Sequence, residues 1–145
     1  SSTDGYLAVC FCYYEGMNIY IAGRVSWGEG DIAKLADHLE SRGHKITLKW
    51  WDKKVKKPFL NNIDHSQVLS DEMVNAVKKS DVLILFAEDT ILGAATEFGI
   101  AIGDDSKKRE IILIHPPETR QSVFYTHSSV VVLENVDAIK KRPWY

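Results

Sequence analysis

The stretch SDVLILFAEDTILGAATEFGIAIG, residues 80–103, decides the fold predicted for this chain. It contains the uninterrupted apolar run 82–87, which is short and carries two β-branched residues. This pattern is typical of a central strand that is buried on both faces. A polar crossing over 88–90 follows, and the small residues after Gly93 then lead to Glu97. The stretch therefore predicts a strand, a tight loop and a helix in succession.

Glu97 is the only ionisable side chain in the opening turns of that helix, and small neighbours leave room for a ligand beside it. A helix N-terminus favours a charged carboxylate, because unpaired backbone N–H groups and the macrodipole carry partial positive charge there. The helix also begins at the carboxyl end of a strand, where open α/β sheets bind their ligands. The residues alone leave two interpretations open: a functional carboxylate, or a glutamate that only offsets the helix dipole.

The segments on either side alternate between strand and helix patterns and predict a three-layer, doubly wound α/β domain of the flavodoxin or Rossmann-like kind. Its five-stranded, mainly parallel sheet is predicted to have strands at 18–23, 44–50, 81–87, 110–114 and 129–133. Further helices are predicted at 31–42, 66–79 and 136–142. We expect the strand order 2-1-3-4-5, which places the ligand pocket above strands one and three.

Composition limits the function classes. The chain has 145 residues, which suits one domain with its own core, and its 45% hydrophobic and 26% charged content is typical of a soluble globular protein. A formal net charge of −2 gives no electrostatic support for binding a nucleic-acid polymer or an anionic membrane. No apolar run approaches the ~20 residues that span a bilayer. We therefore expect a small-molecule ligand.

The two cysteines, Cys10 and Cys12, are separated by one residue, which suits neither a metal site nor an unstrained disulfide. We expect a reducing, cytoplasmic setting, and we predict no metal and no other cofactor. Both cysteines lie in residues 1–16, which lack the basic start and the cleavage pattern of a signal peptide. This segment is predicted to be an N-terminal extension outside a domain that spans 17–145. The alternative is a β-prone arm, strongest over 7–14, that pairs with an exposed sheet edge.

The segment GAATEFGIAIG, residues 93–103, resembles a helix of the nucleoside 2-deoxyribosyltransferase superfamily, in which a glycine, small residues, a glutamate and a following glycine open the helix. The resemblance extends to NIYIAG at 18–23 and to KREIILI at 108–114, and it covers most of residues 17–139. It implies a nucleoside or nucleotide substrate, with 2-deoxyribose the favoured sugar. It also implies that Glu97 is the catalytic nucleophile.

Tyr20 matches the tyrosine that this family places on its first strand near the nucleophile, although an aromatic residue packed in the core fits the sequence equally well. The donor-rich loop 24–30 follows that strand. Gly23, Arg24 and Ser26, with backbone N–H groups, are predicted to hold a phosphate or sugar hydroxyls. The alternative is an ordinary strand-to-helix connection.

Other candidate substrate-binding residues lie on later segments. Trp50 and Trp51 are the predicted base-stacking residues, and the loop 51–59, rich in lysine and aromatic residues, either attracts a phosphate or is a solvated surface. Gly93 is predicted to leave room for the substrate. In relatives of the family, residues after the fourth strand approach the pocket of a neighbouring subunit, which adds Ser122 as a candidate. The same resemblance predicts a homo-oligomer.

The acids that the family uses beside its nucleophile are displaced in this chain. One expected position falls on Met73, with Asp71 two residues earlier, and the other falls on Ile91, with Asp89 two residues earlier. Asp71 or Asp89 is the predicted acid that protonates the departing base. The displacement leaves open which of the two acts.

The predicted function is cleavage or transfer at the N-glycosidic bond of a nucleoside or nucleotide. A placed carboxylate stabilises the oxocarbenium-like state and can trap it as a covalent glycosyl-enzyme. The protein is a transferase if another base resolves that intermediate, and a hydrolase if water does. The alternative is a nucleotide-binding module without turnover. A phosphoacceptor receiver is disfavoured because Gly23 and Arg24 stand where its acidic pair would follow the first strand, and a flavin domain because the loop 24–30 is a poor phosphate loop.

Overall fold

The computed structural model describes residues 16–24, 30–88, 91–115, 118 and 121–145. The described strands are β1 (Asn18–Ala22), β2 (Lys45–Ile46), β3 (Val82–Phe86), β4 (Glu110–Ile114) and β5 (Val130–Leu133). The described α-helices are α1 (Asp31–Ser41), α2 (Ile63–Lys79) and α3 (Leu92–Gly103), and 3₁₀ helices span Trp50–Asp52, Phe59–Asn61, Val123–Thr126 and Val136–Lys141. Except for Gly16, the predicted N-terminal extension lies outside these residues.

The five strands form one sheet in the order β2-β1-β3-β4-β5, and every neighbouring pair is parallel. The predicted fold class and strand order are confirmed, and the sheet is wholly parallel over the strands described. Right-handed crossovers place α1 on one face of the sheet and both α2 and α3 on the other. This arrangement gives three layers, with the winding direction of the chain reversing between β1 and β3.

The centre of the sheet is buried on both faces. All five residues of β3 are buried, as are 19–22 of β1 and 111–114 of β4. A parallel strand covered by helices on both sides needs apolar side chains at successive positions, not at alternate ones. The uninterrupted apolar run at 82–87 meets that need, which is why it predicts the centre of the fold correctly.

The second strand is much shorter than the predicted 44–50, since β2 contains only Lys45–Ile46 and a 3₁₀ turn begins at Trp50. The Trp50 indole Nε1–H donates a hydrogen bond of 2.7 Å to the carbonyl oxygen of Ile21 in β1, and the side chain is buried. A buried indole N–H requires a partner of this kind. The chain therefore turns at Trp50 instead of continuing as a strand, and the indole still finds its acceptor on β1.

The helices also depart in part from their predicted extents. α2 begins at Ile63, three residues before the predicted start, and Val68 is 59% exposed although the periodicity predicts that it faces inward. Only the second half of α2 packs in the core, where Ala76 and Val77 are buried. The predicted closing helix is a 3₁₀ helix over Val136–Lys141. No helix within the described ranges combines the length and the apolar character that crossing a membrane requires.

Arg109 is a buried cation at the amino edge of the sheet. Its Nε donates to the Ser80 carbonyl oxygen at 2.9 Å, and Nη2 donates to the Lys78 carbonyl oxygen at 2.9 Å and to Asp104 Oδ2 at 3.1 Å. Nη1 donates to the Ala101 carbonyl oxygen at 3.3 Å. A cation near helix C-termini satisfies unpaired carbonyl groups and interacts favourably with the helix dipoles. One guanidinium therefore fixes the ends of α2 and α3 beside β4.

Candidate active site

The candidate site lies at the opposite, carboxyl edge of the sheet, where β1 and β3 are neighbours. Tyr20 in β1 is in register with Leu83 in β3, and α3, which follows β3, carries Glu97 in its second turn. Tyr20 is fully buried and Glu97 is 8% exposed. Doubly wound sheets bind ligands at such a reversal of strand order, so the fold brings the two residues to the expected place.

Glu97 is a buried carboxylic acid with unused hydrogen-bonding capacity. Its Oε2 has no hydrogen-bond partner among the described residues. Burial raises the pKa of Glu97 to about 7, and the nearby Tyr20 hydroxyl opposes this rise by favouring the charged form. Glu97 therefore changes its ionisation state close to neutral pH, well above the range of an ordinary glutamate.

The Tyr20 hydroxyl is the polar group that lies beside this carboxyl. Burial raises the pKa of Tyr20, and the charge of Glu97 raises it further, so the phenol stays protonated and remains a hydrogen-bond donor. The hydroxyl has no hydrogen-bond partner in the part of the chain that the structure describes. The two side chains thus influence each other's ionisation, but their geometry falls short of a formed hydrogen bond.

Gly93 lies one helical turn before Glu97. A Cβ atom built on Gly93 would lie 3.9 Å from Glu97 Oε1, and that oxygen is the nearest heavy atom it would meet. The missing side chain leaves open space next to a carboxylate oxygen. This space supports the predicted role of Gly93 in admitting a substrate.

A pocket of ≈ 390 Å³ opens onto Glu97 along the groove between α2 and α3. Its volume is within the range of small-molecule sites. The hydroxyl-bearing residues that line it are Ser66, Ser70 and Thr96, and the larger apolar ones are Val55, Phe59, Leu69, Met73, Val74 and Ile100. Among the described residues that line the pocket, Glu97 is the only one with an ionisable side chain.

The sequence predicts room for a ligand beside Glu97, but it does not predict the groove between α2 and α3. The periodicity of α2 predicts that Leu69 and Met73 face a closed core, whereas both line the open groove. Helical spacing identifies the side of α2 that faces α3, but it does not show whether the two helices close over that side. The feature of the sequence that indicates the groove is the pair Ser66 and Ser70. These residues are four positions apart, so their small hydroxyl groups lie on one face of α2.

Arg24 has a partner that the sequence does not indicate. Its Nη1 donates to Glu88 Oε2 at 2.9 Å, which links the segments that follow β1 and β3. The neighbouring Gly23 has a packing role, because a Cβ there would lie 2.7 Å from Ile32 Cδ1 and 3.4 Å from Phe86 Cβ. Arg24 is half-exposed and keeps donors for a ligand, whereas a side chain at Gly23 would require the end of the Ile32 side chain in α1 to shift. Ser26 lies outside the described residues.

The tryptophans are placed away from the pocket. Trp50 is buried with its N–H already bonded to the β1 carbonyl, so the structure does not offer its ring for base stacking. Trp51 is half-buried and packs edge-on against Trp50, with ring centroids 5.4 Å apart. Neither ring lines the pocket beside Glu97. Trp50 is a core residue, and its expected contact with a base is a correction to the sequence-based assignment.

Among the described residues, neither of the two predicted acids lines the pocket beside Glu97. Asp71 is exposed on α2 and does not line the pocket, whereas Met73 does. The helix therefore presents the thioether, and not the carboxylate, to the groove. Asp89 lies outside the described residues. Within the ranges that the structure describes, no three His, Cys, Asp or Glu side chains are grouped so as to hold a metal ion.

Ser122 is exposed and its Oγ accepts a hydrogen bond of 3.2 Å from the backbone N–H of Phe124. It therefore caps the 3₁₀ helix Val123–Thr126. Tyr125 in that helix packs edge-on against Phe98, with ring centroids 5.6 Å apart. Because Phe98 adjoins Glu97, the segment after β4 is anchored close to the site.

No protein family matches the sequence, and no curated protein matches it either. Among solved structures, the chain is similar to the Clostridium botulinum CMP N-glycosidase BcmB, with a TM-score of 0.55 and 19% sequence identity. The similarity covers 80% of this chain and 86% of that chain. At this identity the likeness shows the fold alone, and it agrees with the three-layer α/β architecture described above.

Proposed function

We propose that this protein breaks the N-glycosidic bond of a nucleoside or nucleotide, with Glu97 as the nucleophile. The observation that carries the proposal is the placement of Glu97: a buried carboxyl with an unpaired oxygen, open to a pocket at the reversal of strand order. The fold likeness to a CMP N-glycosidase and the resemblance of residues 93–103 to the transferase superfamily both support this choice.

The chemistry requires the ionised form of Glu97. Its carboxylate oxygen attacks C1′ while the C1′–N bond breaks and the base takes the electron pair, which gives a glycosyl ester. Burial leaves the carboxylate poorly solvated, so the positive charge that develops on the sugar is a favourable partner for it. The Tyr20 hydroxyl is the donor that orients the carboxylate. Water that attacks C1′ of the ester gives hydrolysis, and a second base gives transfer.

The pocket also offers hydroxyl groups that can bind the sugar or the base. Thr96 Oγ1 donates to the Leu92 carbonyl oxygen at 3.0 Å, and Ser66 Oγ donates to the Phe59 carbonyl oxygen at 3.1 Å. These bonds occupy the hydroxyl protons of two of the three pocket residues. We therefore assign Ser70 as the hydroxyl donor to the substrate, with Arg24 as a donor at the end of β1.

A non-catalytic nucleotide-binding module is the second candidate. The observation that favours it is the outward position of Asp71, which leaves the described lining of the pocket without a second acid that could protonate a departing base. A binding module retains the ligand unchanged, whereas an enzyme releases its base. The two candidates therefore differ in a product that is directly measurable.

The test is incubation of the full chain with a panel of nucleosides and 5′-nucleotides, with and without a second base, followed by chromatography of the bases. We expect base release or exchange that is lost in Glu97→Gln, because the amide keeps the shape but loses the nucleophilic charge. Glu40→Gln is the matched control, since Glu40 lies on α1 in a surface ion pair with Lys49. Undiminished turnover by Glu97→Gln would remove the proposal. Ligand retention without release of base would favour the binding module.

A further inference from the structure

Apart from Glu97, the acids near the pocket that the structure describes are exposed or already paired. Glu72 on α2 lies 3.7 Å from Lys53, Glu88 pairs with Arg24, and Asp71 is exposed and does not line the pocket. Within the described residues, Glu97 is therefore the only carboxyl that meets the pocket interior. If Glu97 acts as the nucleophile, no second described acid is in place to deliver a proton to the leaving base.

This arrangement matters because bases differ in what they need in order to depart. A neutral base leaves its sugar with an extra electron pair on nitrogen, so it departs as an anion unless an acid protonates it. Such proton transfer contributes roughly 10²- to 10⁴-fold to a rate. A base that already carries a fixed positive charge takes the same electron pair and departs as a neutral molecule. It needs no proton from the protein.

The walls of the pocket also suit a flat cationic ring. They are mainly apolar, no Lys, Arg or His is among the described lining residues, and Glu97 supplies the one negative charge. An aromatic cation with delocalised charge loses less hydration on burial than a compact ammonium does, and the Met73 thioether is a favourable neighbour for an aromatic ring. A cationic ring therefore meets an opposite charge and no like charge among the described lining residues, although Lys57 Nζ lies 5.6 Å from the ring centroid of Phe59, which lines the pocket.

We infer that the preferred substrates are nucleosides or nucleotides whose base carries a fixed positive charge, such as an N-glycosyl pyridinium or an N7-alkylated purine. This inference rests on the proposed function and names the leaving group of that reaction. The C1′–N bond breaks as the Glu97 oxygen bonds to C1′, and the electron pair of the broken bond neutralises the base. Water then adds to C1′, the carboxylate leaves, and the proton of the water passes to solvent.

Guanosine and 7-methylguanosine form a matched pair of probes, because they have the same sugar and differ by one methyl group and its charge. Both are incubated with the full chain as ribo- and 2′-deoxyribonucleosides, with and without a 5′-phosphate, and base release is corrected for the rate in buffer. We expect the acceleration over buffer to be at least about 100-fold greater for the methylated compound. We expect it to be lost in Glu97→Gln and kept in Glu40→Gln.

The pH profile is a second readout, measured with nicotinamide riboside because its ring charge does not change with pH. The rate is expected to rise as Glu97 ionises near pH 7 and then to remain level, because no protonated acid is needed. A bell-shaped profile would contradict the inference. Equal or faster release of base from guanosine would overturn the inference while leaving the proposed function intact. In that case, loss of guanosine cleavage in Asp89→Asn would identify Asp89 as the acid. Release from none of the probes or nucleotides would remove both.

Discussion

The Tyr20 hydroxyl lies beside the Glu97 carboxyl in the protein interior, close enough that the charge of Glu97 raises the pKa of Tyr20. Neither the hydroxyl nor Glu97 Oε2 has a hydrogen-bond partner among the described residues. Buried polar atoms are paired in most proteins, and exceptions call for an explanation. A substrate whose sugar becomes positively charged would provide a partner for these atoms. Its positive charge favours the ionised form of Glu97, which the Tyr20 hydroxyl can then stabilise.

Replacing Tyr20 by Phe should slow turnover by roughly ten- to a hundred-fold, because it removes the donor of a hydrogen bond that we expect to form to the ionised Glu97 during the reaction, worth on the order of 1.5–3 kcal/mol. The melting temperature should stay level or rise, since the lost hydroxyl is unpaired in the free protein. Tyr20→Ala should instead cost several kcal/mol of stability through a cavity. Tyr145→Phe is the control, because Tyr145 stacks on His38 and does not line the pocket. An unchanged rate in Tyr20→Phe would assign Tyr20 to packing alone.

Glu97→Gln should change the pH dependence of stability. The pKa of Glu97 is about 7 in the folded protein against 4.5 for an ordinary glutamate, so below pH 4.5 the group is protonated in both states. Between pH 4.5 and about 7 the unfolded chain ionises this carboxyl while the folded protein keeps it protonated, so stability falls by at most about 3 kcal/mol and then stays level. The glutamine cannot ionise.

We therefore expect Glu97→Gln to match the parent near pH 4 and to melt at a higher temperature at pH 8, as thermal unfolding across this range would show. Glu40→Gln should produce no comparable difference, because Glu40 is an exposed partner of Lys49. Equal melting temperatures of the parent and Glu97→Gln at pH 8 would mean that burial of this carboxyl has little energetic effect.

Gly93→Ala should separate stability from activity. Alanine is favoured over glycine within a helix by roughly 0.5–1 kcal/mol, so the melting temperature should rise. Turnover should fall, because the new methyl group fills space 3.9 Å from Glu97 Oε1. Gly99→Ala is the matched control on α3, since a Cβ there meets no atom within 4 Å. Stabilisation by both variants, with loss of activity only in Gly93→Ala, is the expected pattern; full activity in Gly93→Ala would show that the substrate does not use this space.

Self-association remains a prediction, and the segment after β4 offers a surface for testing it. Val123 and Phe124 are 76% and 64% exposed. Exposed apolar neighbours of this kind are typical of contact surfaces. We expect sedimentation at micromolar concentration to show a species larger than the monomer, and Phe124→Glu to shift it toward the monomer. Val132→Glu tests a similarly exposed residue on β5. A monomeric parent would contradict the prediction, and dissociation by Val132→Glu alone would place the contact elsewhere.

The sequence predicts the centre of the fold better than its periphery. The run 82–87 identifies β3 because a strand covered on both faces leaves one consistent choice of side chains. The alternation of apolar and polar residues over 44–50 predicts too long a strand. The Trp50 indole can be buried, with its N–H paired, in a turn as well as in a strand. The hydrophobic pattern indicates which side chains are buried, but more than one backbone conformation can bury the same side chains.

The candidate site is predictable to the same limited extent. Glu97 stands out because a lone charged residue among small ones at a helix start is visible in the sequence. The partnership of Arg24 with Glu88 joins residues 64 positions apart, and the groove beside Met73 depends on how far α2 lies from α3. Both are properties of tertiary geometry, and no spacing along the chain encodes them.

Arg109→Lys should destabilise the protein without changing its chemistry. A lysine keeps the charge but cannot make the forked set of bonds to Ser80, Lys78 and Asp104. Loss of several buried bonds predicts a cost of about 2–4 kcal/mol in chemical denaturation. Turnover per folded molecule should be unchanged at a temperature where both variants are native. A selective loss of turnover with normal stability would show that the amino edge influences the reaction.

The guanidinium of Arg109 and the carboxyl of Glu97 stand at opposite ends of the same sheet, the one joining helix ends and the other facing the pocket. The two ends can therefore diverge separately over evolutionary time. Insertions and substitutions around the carboxyl edge would alter which ligand is accepted while the other edge keeps the chain folded. A lineage with this layout can explore new substrates at little risk of losing its architecture, and its descendants would differ most where their ligands bind.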